Sequence, residues 1–66
     1  MVTNKKIAKR LVKLRGERSR REIAKILGIT KSALAMYERG ERVPRDYIKI
    51  RIAEVYGKSV EEIFCA

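Results

Sequence analysis

Only Gly28, Ile29 and Thr30 separate two stretches in which apolar residues recur with helical spacing, at about 20–27 and roughly 31–39. Glycine can adopt the left-handed backbone conformation that ends a helix, and threonine is a good residue to cap the next one. This turn constrains the fold more than any other feature of the chain.

A further helix is predicted upstream, over 4–15, because apolar residues there recur at i, i+4 and i+7 on one stripe. Thr3 or Asn4 is the expected cap, and Gly16 interrupts the pattern. The segment Ser19-Arg20-Arg21-Glu22 has the form of a capping box, in which the serine hydroxyl and the glutamate carboxylate each accept a backbone N–H. It predicts the start of the second helix.

Residues 48–52 read Ile-Lys-Ile-Arg-Ile, and this alternation taken alone favours a strand. We expect a helix instead, because Pro44 stands before the segment, Gly57 stands after it, and no partner strand is evident. A second capping box, Ser59-Val60-Glu61-Glu62, predicts a last short helix. It carries three apolar residues, Val60, Ile63 and Phe64, toward the core or toward a partner. The sequence therefore predicts one all-α domain of five helices over 1–66.

The charge of the chain is strongly positive, with 17 Lys and Arg against 8 Asp and Glu and a formal net charge of +9. It is also unevenly placed: residues 1–45 hold 14 basic and 4 acidic side chains, whereas residues 46–66 hold 3 and 4. This distribution indicates a polyanionic partner such as nucleic acid. The alternative is a cationic surface that only keeps a small protein in solution, so charge alone does not decide.

Several kinds of site are excluded by what the sequence lacks. With no histidine and one cysteine, Cys65, the chain has neither the ligands of a usual zinc site nor an internal disulfide. No set of residues suggests catalysis, so we expect no enzyme activity, cofactor, metal or small-molecule substrate. No apolar run approaches the roughly 20 residues that span a bilayer. We expect a cytoplasmic protein without membrane contact.

Residues 23–40 contain a more specific pattern: a small residue, Ala24, in the second helix, the turn glycine Gly28 with an apolar residue after it, and the ending Tyr37-Glu38-Arg39-Gly40. The pattern continues outside this range in Ile7-Ala8, Arg10-Leu11, Leu14-Arg15, Pro44 and Ser59-Val60-Glu61-Glu62-Ile63. Together these residues resemble the phage-repressor and Cro-like family of helix-turn-helix transcription regulators. The resemblance implies a compact five-helix, lambda-repressor-like DNA-binding domain, with its helix-turn-helix at helices 2 and 3.

The resemblance also implies which residues contact DNA, because helix 3 of such proteins lies in the major groove. The residues it places at base edges are Lys31, Ser32, Ala35 and Met36. The expected phosphate contacts are Arg20, Thr30, Arg39, Arg42, Arg45 and Arg10. Lys31 has two other interpretations, as a phosphate contact or a solvated charge. Arg20 lies at a positively polarised helix end, where its charge needs compensation that a phosphate would supply.

One acidic residue, Glu38, stands among many cations. The resemblance implies that it pairs structurally with a cation of helix 1 and does not touch DNA. Arg15 is the expected partner. Lys13 remains the alternative, because the segment from Arg15 to Ala24 is shorter here than in typical relatives.

A single reading helix contacts few base pairs, and relatives place two copies about one DNA turn, roughly 34 Å, apart on a palindromic operator. The resemblance therefore implies a homodimer that regulates transcription, most often by repression, through occupation of its operator. The near-neutral C-terminal segment is the expected interface. Its interface residues are Ile63, Phe64 and Cys65.

The competing hypothesis is a protein-binding module on the same fold, such as an antitoxin or an anti-regulator. Exposure of three apolar residues, Tyr47, Ile50 and Tyr56, would support it, although they would serve homodimerisation equally well. DNA reading requires instead that Arg20, Lys31 and Ser32 share one exposed face. RNA binding is a weaker hypothesis, because the aromatic residues are spread along the chain and form no stacking platform.

Overall fold

The computed structural model describes residues 3–65, which form five helices and no strand. The predicted all-α class is confirmed. The helices are α1 (Asn4–Arg15), α2 (Arg20–Leu27), α3 (Lys31–Glu38), α4 (Asp46–Tyr56) and α5 (Val60–Phe64). α3 ends slightly before the predicted boundary, because Arg39 forms its C-cap.

Four helices begin at a hydroxyl side chain that accepts the backbone N–H of the residue three positions later. These caps are Thr3, Ser19, Thr30 and Ser59. Within residues 3–65 the reciprocal bond of a full capping box forms only in α5, where the Glu62 carboxylate accepts the Ser59 N–H at 2.9 Å. The hydrogen bond predicted between the Glu22 carboxylate and the Ser19 N–H at the start of α2 is therefore wrong.

The turn between α2 and α3 follows from the conformation of Gly28, which has φ 72° and ψ 30°. Its N–H and that of Ile29 bond back to carbonyls of the last turn of α2, at Lys25 and Ala24. Any other residue at Gly28 would be strained in this left-handed backbone conformation. Its Cβ would also lie only 3.3 Å from Nη1 of the Arg51 guanidinium. The turn therefore depends on glycine, as the sequence indicates.

α4 confirms the helical interpretation of residues 48–52. Ile48 and Ile52 are buried and Ile50 is exposed, as expected for residues four and two positions apart on a helix. Pro44 is also buried just before the helix, and the first position of α4 is acidic, which suits the helix dipole. The period-two pattern thus arises from one buried helix face, with no partner strand involved.

All five helices contribute to one apolar core. Its largest fully buried side chains are Leu11, Ile23, Leu27, Leu34, Ile52 and Ile63. Each such side chain stabilises the fold by roughly 1.5–3 kcal/mol through burial. Ala24 is also buried, which allows α2 and α3 to approach each other closely.

The predicted dimer interface includes two buried residues of α5. Ile63 and Phe64 are 1% and 5% exposed and belong to the core, which leaves little of either side chain accessible to a second copy. The physical reason is that a short chain needs every apolar residue of its last helix to complete the core. Cys65 is exposed and is the one member of the predicted interface that is accessible.

Candidate nucleic-acid interface

The exposed side of α3, together with its C-cap residue, forms a row of five positions. Lys31, Ser32 and Arg39 are exposed, and Ala35 and Met36 are half-buried. At about 100° per residue these positions span roughly 140° of the helix surface. The row presents one ammonium, one hydroxyl, two apolar contacts and one guanidinium, and it contains no carboxylate.

The start of α3 is fixed by Thr30. Its Oγ1 accepts the Ala33 N–H at 3.0 Å, which leaves the hydroxyl hydrogen to donate outward. Thr30, Lys31 and Ser32 are all exposed, so the first turn of α3 is accessible. The opposite face of the helix is held in the core by Leu34 and Tyr37.

The end of α3 is held by a buried ion-pair cluster centred on Glu38, whose side chain is 0% exposed. Arg15 of α1 approaches it with two atoms, Nε at 2.7 Å and Nη2 at 3.1 Å. Arg20 of α2 donates a third bond from Nε at 2.8 Å. One carboxylate therefore ties together three helices, and the helix 1 cation that it pairs with is Arg15, not Lys13.

The position of Arg20 corrects the reasoning that assigned it to a phosphate. The compensation that its charge needs at the start of α2 comes from Glu38 within the chain. The Arg20 side chain is 38% exposed, and its remaining N–H groups can still face outward. Of the three residues whose common exposure would favour DNA reading, Lys31 and Ser32 are exposed while Arg20 is half-buried.

The charges of the cluster are mutually stabilised. The hydrogen bond to Glu38 raises the pKa of Arg15 above its usual value. Tyr56 closes the cluster from α4, and burial together with the nearby Glu38 carboxylate raises the pKa of Tyr56. Its ring lies beneath Arg18, whose guanidinium carbon is 5.4 Å from the ring centroid. Tyr56 is thus half-buried against the charge cluster, unlike the exposed residue that a partner surface requires.

A cavity of about 390 Å³ lies between the α2–α3 turn and the start of α4. Three arginines line it: Arg42 and Arg45, which the sequence places near phosphates, and Arg51. Arg51 donates from Nη1 to the Leu27 carbonyl at 3.2 Å, and its guanidinium stacks over Tyr47 at 5.8 Å. Sequence reasoning missed Arg51 because the segment around it is near-neutral. Its spacing of i, i+4 from Tyr47 was the available signal.

The predicted phosphate contact Arg39 lies at the end of the α3 row and forms an exposed ion pair with Glu41. Arg39 Nε lies 2.9 Å from Glu41 Oε2. This contact raises the pKa of Arg39 and lowers the pKa of Glu41. Because both groups are solvated, a phosphate could replace Glu41 at little cost.

Arg10, a predicted phosphate contact, is bonded to carbonyls at the end of α5. Its Nη1 donates to the carbonyls of Ile63 and Cys65, each at 3.0 Å, and more weakly to that of Glu62 at 3.4 Å. The last carbonyls of a helix have no intrahelical partner and carry partial negative charge, so a guanidinium is favourable there. Arg10 therefore anchors the end of α5 to α1.

Two apolar residues of α4 remain accessible, Tyr47 at 57% and Ile50 at 53%. They lie three positions apart and so share one face of the helix.

Residues 3–65 contain no cluster of His, Cys, Asp and Glu placed to hold a metal. Within the same part of the chain, no helix has the length and apolar character needed to cross a bilayer.

Comparison with known proteins identifies one family. The sequence model described as helix-turn-helix matches residues 7–63, which is most of the chain and includes all of α2, α3 and α4. No significant match is found among curated proteins or among solved structures. The chain belongs to the phage-repressor and Cro-like helix-turn-helix family of DNA-binding regulators.

Proposed function

We propose that this protein is a sequence-specific, double-stranded DNA-binding regulator that represses transcription by occupying an operator. The observation that carries the proposal is the exposed row of α3, which is free of carboxylates and begins at an accessible helix start. The core and the Glu38 cluster hold the opposite face of this helix rigidly. Such a helix can enter the major groove and present its first turn to base edges.

The row of α3 contains suitable partners for bases. Lys31 can donate to guanine O6 and N7, and the Ser32 hydroxyl can bond to any base edge. Ala35 and Met36 offer apolar contact to a thymine methyl group. Each well-made base contact discriminates by about 1–3 kcal/mol.

The surrounding cations are proposed phosphate contacts, which contribute affinity and register without reading sequence. The exposed candidates are Arg39, Arg42 and Arg45. Thr30 joins them through its free hydroxyl hydrogen, and Arg20 through the N–H groups that Glu38 does not use.

We place a homodimer on a palindromic operator, with its contact at the exposed α4 face of Tyr47 and Ile50 in place of the buried residues of α5. This face is the part of the near-neutral C-terminal segment that still exposes large apolar side chains. Two apolar residues per copy bury less than a standard interface, so the dimer forms chiefly on DNA, where phosphates offset the repulsion between the two cationic chains.

Selection from a random double-stranded DNA library tests the proposal. The purified protein is compared with a variant in which Lys31 and Ser32 are both changed to Ala, and with Lys25→Ala as a control. Lys25 is exposed on α2 and lies outside the row of α3. We expect a palindromic consensus for the protein and the control, and a relaxed consensus for the double variant. Binding without sequence preference would overturn the proposal.

The second candidate function is a protein-binding module, which the exposure of Tyr47 and Ile50 favours. Changing Ile50 to Glu separates the two candidates. If α4 serves dimerisation on DNA, this variant loses cooperative binding to the full palindrome but still binds a half-site. If the protein acts only through a protein partner, no palindrome is selected at all.

A further inference from the structure

α1 is strongly cationic. Its twelve residues include Lys5, Lys6, Lys9 and Lys13 together with two arginines, and the first turn holds no acidic residue. Cations at the positively polarised start of a helix, and like charges at i, i+4, both destabilise it. Among residues 3–65 no carboxylate pairs with any of these four lysines.

Three of these lysines border a groove of about 420 Å³ between α1 and the end of α3, which we call the lysine groove. Its cationic borders are Lys5, Lys9, Lys13 and Arg39. Between the cations the groove is apolar, with Ala8 and the 41%-exposed Val12. Glu38 contributes backbone only, because its side chain is fully buried.

The chemistry of the lysine groove matches a sugar-phosphate backbone. Its lysine positions recur about every 6 Å along α1, and their flexible four-carbon stems can reach successive phosphates. The apolar strip at Val12 can face a deoxyribose ring. Arg39 belongs both to the groove and to the exposed row of α3, so the groove continues the proposed DNA-facing surface.

We propose that the lysine groove binds the DNA backbone beside the segment read by α3, so that Lys5, Lys9 and Lys13 add phosphate contacts to the operator complex. This inference rests on the proposed function, because it requires α3 to lie on the same duplex. It assigns a role to the lysines of α1 and explains why they remain without acidic partners. The added contacts raise affinity for all sequences equally.

The test is the salt dependence of binding to a duplex. The variant Lys5→Gln with Lys9→Gln is compared with Lys25→Gln with Lys58→Gln, which removes the same charge from exposed positions outside the groove and outside the α3 row. Each lost phosphate contact makes the slope of log K against log salt shallower by about 0.9. We therefore expect the groove variant to lose roughly 1.8 in slope and to bind about 30-fold more weakly at about 0.15 M salt.

The control variant should keep the slope of the unmodified protein. Equal slopes for the two variants would overturn the proposal, because the lysines would then add only general charge. Thermal melting of both variants checks the fold, and the groove variant should melt no lower than the unmodified protein. Failure of the proposed function is seen separately, as a lack of sequence preference in the unmodified protein.

Discussion

Replacing Glu38 by Gln should destabilise the protein far more than any surface substitution. The glutamate side chain is 0% exposed and accepts three hydrogen bonds from two guanidinium groups. Glutamine keeps the size and one acceptor oxygen but removes the negative charge, which leaves Arg15 and Arg20 facing each other without compensation. Removing one partner of a fully buried pair costs about 3–5 kcal/mol.

The two arginines are partly solvated, with side chains 16% and 38% exposed, so the loss of unfolding free energy is smaller than for a fully buried pair. A loss of about 2–3 kcal/mol is expected, which for a chain of this size lowers the melting temperature by roughly 10–20 °C. Such a loss is a large share of the total, because domains are stable by only about 0.05–0.15 kcal/mol per residue.

Urea unfolding followed by circular dichroism measures this change, with Glu41→Gln as the matched control. Glu41 makes an ion pair of 2.9 Å with Arg39, but both side chains are about half exposed. Exposed pairs contribute little to stability, so the control should unfold at the same urea concentration as the unmodified protein. Coincident curves for the two variants would refute the view that Glu38 holds α1, α2 and α3 together.

Three further outcomes follow from the structure. Gly28→Ala should cost about 1–2 kcal/mol in urea unfolding, because alanine is strained at φ 72° and its Cβ would meet Arg51. Phe64→Ala should lower the free energy of unfolding by about 3–5 kcal/mol, because it leaves a cavity in the core, whereas Cys65→Ala should leave stability unchanged. If Phe64→Ala instead weakened only self-association, the predicted α5 interface would be right. Bonds from Ser59 lower the pKa of Glu62 in the folded state, so its stabilisation is full above the unfolded pKa and is lost as pH falls through the folded value. Between pH 6 and pH 3 the stability of Glu62→Gln should therefore fall less than that of the unmodified protein.

Much of the fold follows from local sequence signals. Hydroxyl caps at Ser19, Thr30 and Ser59 and the glycine at Gly28 act within a few residues, so their roles can be read from the sequence. The ambiguous stretch in α4 shows the limit of this reasoning. Alternating isoleucines alone fit either a strand or a helix, and the flanking Pro44 and Gly57 were needed to favour the helix that the structure has.

The contacts of the site were harder to predict from the sequence, because the partners of long cationic side chains depend on which residues the fold brings close to them. Arg10 reaches carbonyls of α5 more than 50 residues away, and Arg20 reaches Glu38 across the α2–α3 crossing. Neither contact has a local signature. The burial of Ile63 is one of the two placements that the sequence allowed, and it follows because five short helices need the apolar residues of the last one to close the core.

The most direct test of the account is the affinity of the purified protein for its selected duplex and for a scrambled duplex, at about 0.15 M salt. We expect a preference of at least about 10³-fold for the selected sequence, as in specific protein–DNA complexes. Changing Lys31 and Ser32 to Ala should reduce this preference while affinity for the scrambled duplex falls much less. Equal affinity of the unmodified protein for both duplexes would contradict the claim that α3 reads sequence.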